Sequence, residues 1–242
     1  MSTVVTPYSD SVKGKKEQVA EMFDNIAPKY DFLNHFLSFG IDKLWRRKAI
    51  RLLMKNRPTT ILDVATGTAD FAIESLKTGA RKIVGIDISE EMLSFGRVKI
   101  TKMGLADQIT LQQGDAEALV FMNESFDAVT VAFGVRNFED LYKGLSEIYR
   151  VLKPTGIICV LEFSKPTIFP IKQLYGFYSF YILPFLGRLF SKDNSAYRYL
   201  PESVEKFPDG AAFLSALENS GFSNTKQYRQ TFGVATIYIG VR

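Results

Sequence analysis

Three short acidic and glycine-bearing segments carry the chemistry of this chain. The first is Leu62-Asp63-Val64-Ala65-Thr66-Gly67-Thr68-Ala69-Asp70, and Val84-Gly85-Ile86-Asp87-Ile88 follows it at the spacing of one strand–turn–helix–strand unit. The third is Gln112-Gln113-Gly114-Asp115-Ala116-Glu117. A hydrophobic strand, a tight turn, a helix and a second strand ending in a carboxylate are the parts with which an α/β fold grips a nucleoside. Gly67 lets the backbone run close to a ligand, where a Cβ would collide. Asp87 can accept hydrogen bonds from both ribose hydroxyls, and Asp115, followed by the small Ala116, can meet the exocyclic amine of an adenine. The second and third glycines of G-x-G-x-x-G are missing, which argues against a nicotinamide dinucleotide. Asp63 and Asp70 are expected to put negative charge where a pyrophosphate would lie, so a cationic nucleoside fits better. S-adenosylmethionine, with its sulfonium and ammonium, is such a ligand, and a methyltransferase is the implied class. A plain βαβ turn with incidental acids is the competing reading of the glycine turn alone.

The elements that must hold these residues alternate regularly. Apolar runs predict strands near 60–66, 82–88, 109–114, 127–133 and 156–162, with helices near 70–78, 90–103 and 139–152. A helix near 208–220 and extended segments near 223–230 and 233–241 close the chain. The expected fold is α/β, a Rossmann-like methyltransferase with seven strands, mostly parallel, an antiparallel last strand and helices on both faces. Residues 12–54 read as helical, with Val19, Met22, Phe23 and Ile26 at helical spacing and breaks at Pro28 and Gly40. The chain is expected to form one domain over 1–242. Its expected parts are a helical cap (1–57), a cofactor-binding core (58–165), an aromatic-rich insertion (166–200) and a closing helix and strands (201–242).

Composition narrows the function classes. A chain of 242 residues, 46% hydrophobic, can bury one large core. One cysteine, Cys159, and one histidine, His35, exclude a Cys/His zinc cluster and a disulfide framework and fit a reducing cytoplasm. No metal is expected, and Cys159 lies in an apolar run that suits a buried small hydrophobe. Residues 1–11 lack the apolar core of a signal peptide. The net charge of +4 is uneven: Arg46, Arg47, Lys48, Arg51, Lys55 and Arg57 crowd one segment, and Lys13, Lys15 and Lys16 another. Such groups suit anionic lipid or nucleic acid, or a solvated helix face. No RNA-binding signature accompanies them. Between Lys172 and Arg188 lie fifteen uncharged residues, too few to span a bilayer, with Pro184 among them. That stretch reads as an insertion over the active site, an interfacial segment on lipid, or an aromatic-rich core helix.

Longer motifs bring in a family. Met22-Phe23-Asp24-Asn25-Ile26-Ala27-Pro28-Lys29-Tyr30-Asp31 is followed by Asn34, Leu37-Ser38, Gly40 and Trp45. Phe133-Gly134-Val135-Arg136-Asn137-Phe138, Arg150-Val151-Leu152-Lys153-Pro154 and Leu161-Glu162-Phe163-Ser164 come next, then Tyr199-Leu200-Pro201-Glu202-Ser203 and Phe232-Gly233-Val234-Ala235. In this order, from Val19 to Val241, they resemble the ubiquinone/menaquinone biosynthesis C-methyltransferases of the UbiE type. This sequence departs from that family at Leu33 (usually Met), Asp42 (usually His), Thr155 (usually Gly) and Ala69 (often Gly). No imidazole can act at position 42 here, and His35, seven residues earlier, is not an obvious replacement.

The resemblance implies methylation of a ring carbon of a reduced, prenylated quinone, demethylmenaquinol giving menaquinol. A benzoquinol of ubiquinone synthesis, or another small aromatic or lipid acceptor, is the alternative. An RNA methyltransferase and a non-catalytic cofactor-binding scaffold are more distant rivals. Carried over by resemblance, Arg136 stabilises the ring oxyanion or orients a water, and Asn137 fixes the ring oxygen. Thr66, Gly67, Asp87, Asp115 and Ala116 hold the cofactor, and Tyr30 and Phe133 wall the flat ring. Expected partners are the prenylated quinol, an anionic membrane touched peripherally from the cytoplasmic side, and a second copy in a homodimer, but not nucleic acid.

Overall fold

Apolar runs bounded by turns become the first five strands of a seven-stranded sheet in the computed structural model, which describes residues 5–8, 11–183, 185 and 195–242. They are β1 (Thr60–Val64), β2 (Lys82–Asp87), β3 (Ile109–Gln113), β4 (Phe126–Ala132) and β5 (Leu152–Phe163), all parallel. The closing strands are β6 (Ser223–Gln230) and β7 (Ala235–Val241). The order is β3-β2-β1-β4-β5-β7-β6, and β7 runs antiparallel to both neighbours. The expected Rossmann-like sheet with one antiparallel closing strand is the sheet observed.

Alternation along each strand supplies two cores. Ile61 of β1 and Ile157, Cys159 and Leu161 of β5 face one side, where α3 (Ile41–Leu53) and α5 (Glu90–Lys102) pack through Trp45, Ile50, Leu53, Leu93 and Ile100. Leu62 and Val64 of β1 and Ile158 and Val160 of β5 face the other. There α6 (Leu141–Val151) and α9 (Ala211–Asn219) bring Leu145, Ile148, Phe213 and Leu217. A shorter helix, α4 (Asp70–Ser75), follows the glycine turn.

The N-terminal segment breaks where its sequence says it must. A helix α1 (Lys15–Ile26) ends in a 3-10 turn carrying Pro28, and α2 (Tyr30–Leu37) ends before Gly40, whose φ of +72° a side chain would resist. The aromatic stretch forms α7 (Ile171–Phe177) and a π-helical turn over Tyr178–Ile182, while Pro184 and residues 186–194 lie outside the described residues. One helix lacks a counterpart among the expected elements. α8 (Ser195–Lys206) runs across the division expected between 200 and 201, and it keeps Pro201 inside. Leu183, Tyr197 and Tyr199 pack with Val19 and Met22 of α1 in a third cluster above the sheet. No described helix is long and apolar enough to cross a membrane.

Candidate active site

Strand order reverses at β1, which has β2 on one side and β4 on the other, so the loops leaving these strands splay apart and leave a crevice at their C-terminal ends. The first cavity there has about 650 Å³ of empty space, its open mouth included. After β1 it is lined by Ala65 and Gly67, after β2 by Asp87 and Ile88, after β3 by Asp115 and Ala116, and after β4 by Phe133 and Gly134. Lys16, Val19 and Phe23 of α1 roof it. Positive φ values at Ala65 (53°), Gly67 (56°) and Phe133 (57°) show how sharply both loops turn away from the sheet. At Gly134 a Cβ would fall 2.4 Å from the Cβ of Ala65, so glycine is needed where the two loops touch.

Asp87 is the pivot of this cavity. Its Oδ2 accepts the Gly67 N–H at 2.8 Å and its Oδ1 the Ser89 N–H at 2.9 Å. Each carboxylate oxygen keeps a second lone pair for a hydroxyl donor. Burial pushes the Asp87 carboxyl up to about 6, although the backbone donors oppose the shift. Asp115 and Ala116 line the cavity beyond β3, and Asp115 accepts from Lys16 Nζ at 2.7 Å. Glu117, which sequence reasoning left without a role, accepts from Lys16 at 3.1 Å and from the Glu139 N–H at 2.8 Å. Buried carboxylates, a Cβ-free turn and a flat apolar wall fit a nucleoside that carries positive charge.

Geometry corrects four of the expectations drawn from the sequence, the last of them at Asn137. Thr66 does not line the cavity: its hydroxyl donates to Asp63 Oδ2 at 2.6 Å, and the left-handed Ala65 before it turns the side chain back towards the sheet. Asp63 also accepts from Thr130 at 2.6 Å, so this buried carboxyl, pushed up to about 6 by desolvation, ties β1, β4 and the turn together without facing a ligand. Asp70 points to Lys99 at 2.7 Å. The carboxylates that line the first cavity are therefore Asp87, Asp115 and Glu117, the last two paired with Lys16. The third correction concerns the basic groups. Lys15 donates to the carbonyls of Arg136 (3.3 Å) and Phe138 (2.6 Å), Lys16 is paired as above, and Arg46 turns inward, so none of them joins a surface patch.

A second cavity, of about 750 Å³ with its mouth, adjoins the first and shares Phe23, Tyr30 and Phe133 with it. Tyr30 and Phe133 thus line both cavities. Burial raises the Tyr30 phenol, and a hydrogen bond shared with Asn34 opposes the shift. Arg136 lines this second cavity from a 3-10 turn after β4. Its Nη1 donates to Glu162 Oε1 at 2.9 Å and to the Phe133 carbonyl, its Nε to Ser203 at 3.3 Å, and its guanidinium lies 5.6 Å from the centre of the Phe163 ring. Asn137 departs from its expected place. It lines the first cavity, and its Oδ1 accepts the Tyr199 hydroxyl at 3.1 Å.

Sequence reasoning missed the opposite wall. Asp42 accepts from Ser38 Oγ at 2.7 Å and from Arg46, and His35 Nδ1 stands 3.0 Å from it. His35 therefore does sit beside position 42, brought there by the bend at Gly40. Arg46 lies 5.6 Å over the Phe133 ring, and its Nε is a buried donor without a hydrogen-bond partner. The signal was available in the spacing: Asp42, Trp45, Arg46, Ala49, Ile50 and Leu53 trace one buried helix face.

Comparison with known proteins gives the family. Residues 11–242 match the profile of the ubiE/COQ5 methyltransferase family. A protein of Bacteroides fragilis named demethylmenaquinone methyltransferase is 51% identical over 98% of this chain and 97% of its own length. A Geotalea daltonii protein named ubiquinone/menaquinone biosynthesis C-methyltransferase UbiE is 47% identical over 93% of this chain and 97% of its own. Among solved structures, a SAM-dependent methyltransferase from Thermotoga maritima superposes with a TM-score of 0.64 at 18% identity, covering 91% of this chain and 98% of that one. The likeness in fold, the profile spanning nearly the whole sequence and the close relatives lead to one conclusion: this chain belongs to the ubiE/COQ5 methyltransferase family.

Proposed function

We propose that this protein transfers a methyl group from S-adenosylmethionine to a ring carbon of demethylmenaquinol, giving menaquinol. The observation that carries the reading is the pair of cavities meeting at Phe23, Tyr30 and Phe133, one lined by the carboxylates of Asp87, Asp115 and Glu117 and one with aromatic walls and two guanidiniums. The names of relatives at 51% and 43% identity, both demethylmenaquinone methyltransferases, support the choice of ring.

When bound, S-adenosylmethionine supplies an electrophilic methyl group and a neutral thioether leaving group. The protein's residues then have two tasks. Asp87, Asp115 and the Gly67 turn hold the nucleoside, and the shared aromatic wall lays the flat ring in line with the methyl group, so that positioning supplies much of the rate. The ring carbon becomes nucleophilic when the neighbouring hydroxyl gives up its proton. Arg136 and Arg46 face the oxygen left behind and stabilise its charge, and guanidiniums themselves stay protonated. Asp42 is the carboxylate on the same wall able to receive that proton, with His35 beside it.

Membrane contact forms part of the proposal, because a polyprenyl substrate resides in lipid. Exposed Leu174, Phe177, Phe180 and Tyr181 form the outer side of α7 and the π-turn, Phe32, Phe36 and Phe39 project from the α2 region, and Lys43, Arg47, Lys48 and Arg51 are exposed on α3. An apolar stripe beside basic residues suits peripheral binding at an anionic bilayer. Labelled S-adenosylmethionine with a chemically reduced short-chain demethylmenaquinone, and a demethoxybenzoquinol in parallel, tests the reaction. Label in the naphthoquinol alone supports it, and label in neither refutes it. Flotation with anionic liposomes at low salt tests the membrane contact, and protein left in the pellet rejects it.

A further inference from the structure

A third cavity opens from the second, and nothing in the ring chemistry needs it. It holds about 910 Å³ of empty space with its mouth, and Asn34, Ser38, Phe163 and Leu200 line both. The two differ in kind. The ring cavity is lined by Asp42, Arg46 and Arg136, whereas no charged side chain among the described residues lines its neighbour. Trp45, Phe163, Tyr178, Leu183, Val204 and Val234 make up most of its surface.

Its polar groups already have partners within the protein. The Trp45 indole N–H donates to Thr231 Oγ1 at 2.8 Å, Ser38 Oγ donates to Asp42, and Tyr175 and Ser179 share a hydrogen bond. A ligand there has few free donors or acceptors to meet, so the chemistry it recognises is apolar, flexible and free of hydrogen-bonding groups. The far end reaches the surface, because Phe39 and Thr231, both lining residues, are exposed. Tyr175, Tyr178 and Ser179 line the cavity from the same helical segment whose outward-facing residues are Leu174, Phe177 and Tyr181.

We propose that this cavity is the binding site for the isoprenoid tail of the quinol, whose first units run from the ring past Phe163 and Leu200 and leave the protein beside Phe39. The inference rests on the quinol reading above and adds that the protein, not only the membrane, selects for the tail. A tail held inside fixes which edge of the ring faces the shared wall at Tyr30 and Phe133, so it acts on orientation as well as affinity.

The test compares two acceptors, 1,4-naphthoquinol without a tail and the same quinol with a two-unit geranyl tail, in detergent-free buffer with labelled S-adenosylmethionine. Val204→Phe fills the cavity from α8, and Val234→Phe fills it from the turn just before β7. One methylene in an apolar pocket discriminates by roughly tenfold or more. Each variant is therefore expected to lower the ratio of kcat/KM for the geranyl acceptor over the tailless one at least tenfold. Misfolding lowers both activities together and leaves the ratio in place, and the second variant stands in for a first that does not fold. A ratio retained in both variants overturns the tail site and leaves the ring reading standing. A wild-type protein that methylates neither acceptor overturns the ring reading, and the tail site falls with it.

Discussion

Asp87 lets cofactor affinity be worked out from geometry. Its carboxylate sits in the cavity wall, 8% exposed, anchored by the N–H groups of Gly67 and Ser89. Replacing Asp87 by Asn preserves size but removes the charge and turns an NH2 group towards one of those N–H donors. A hydrogen bond to a charged group contributes about 1.5–3 kcal/mol. Losing the ionised acceptor for the ribose hydroxyls should therefore cost about 2–3 kcal/mol, roughly 30- to 150-fold in Kd. The acid limb makes the test sharper. Burial pushes this carboxyl up to about 6, so at pH 5 only about one molecule in ten keeps the charged acceptor. Wild-type affinity for S-adenosylmethionine should fall about tenfold between neutral pH and pH 5, while Asp87→Asn should show a flat profile over that range. Stability runs the opposite way. A folded-state pKa raised above the unfolded value near 4 means that the native state holds more protons between about 4 and 6. Stability from Asp87 thus falls as pH rises through that window and levels off above it, and Asp63, also near 6, acts in the same direction. Titration calorimetry from pH 5 to 8 at constant ionic strength measures the first effect. A wild-type Kd that stays level down to pH 5, or a variant within threefold of wild type at pH 8, would refute the reasoning.

Other consequences can be checked on the same preparation. Arg136→Ala leaves Glu162, 0% exposed, without its partner and should lower unfolding free energy by about 3–5 kcal/mol in urea, so the variant must be assayed where it is still folded. Arg46→Lys keeps a cation for Asp42 but removes the Nε donor; it should lower kcat by roughly a hundredfold with little change in cofactor Kd. Thr155, exposed at φ +65°, is a β-branched residue in the left-handed region, and Thr155→Gly should stabilise the protein by about 0.5–1 kcal/mol in urea unfolding. Cys159, fully buried and pushed up to about 12, should resist a disulfide reagent in the native state and react fully in guanidinium.

The central strands were readable because a parallel strand buried on both faces is a continuous apolar run, as in Ile157–Leu161. Gly67, Asp87 and Asp115 were readable because each ends or follows such a strand. Thr66 was not, because the left-handed turn at Ala65 decides which way its side chain points, and no residue type there announces it. Asp42 and Arg46 have the spacing of a surface ion pair at i, i+4, and only the packing of α3 on the sheet turns that pair inward. The pairing of His35 with Asp42 depends on the bend between two helices. α8 escaped notice because Pro201 breaks the helical pattern in mid-run, although five of its residues besides the proline are buried.

The two working cavities draw on different parts of the chain. The sheet core with its strand-end loops builds most of the nucleoside cavity, whereas α1, α2, α3 and α8 build most of its neighbour, to which the sheet lends only Phe133, Arg136 and Phe163. On the reading proposed above, the sheet half would be a donor cassette and the helical half an acceptor cassette, joined at one aromatic seam. A lineage could remodel the helical half to take a new ring without disturbing how the methyl donor is held. In the laboratory the same seam marks where a chimaera between two relatives should be cut: on either side of Phe23, Tyr30 and Phe133, never through them.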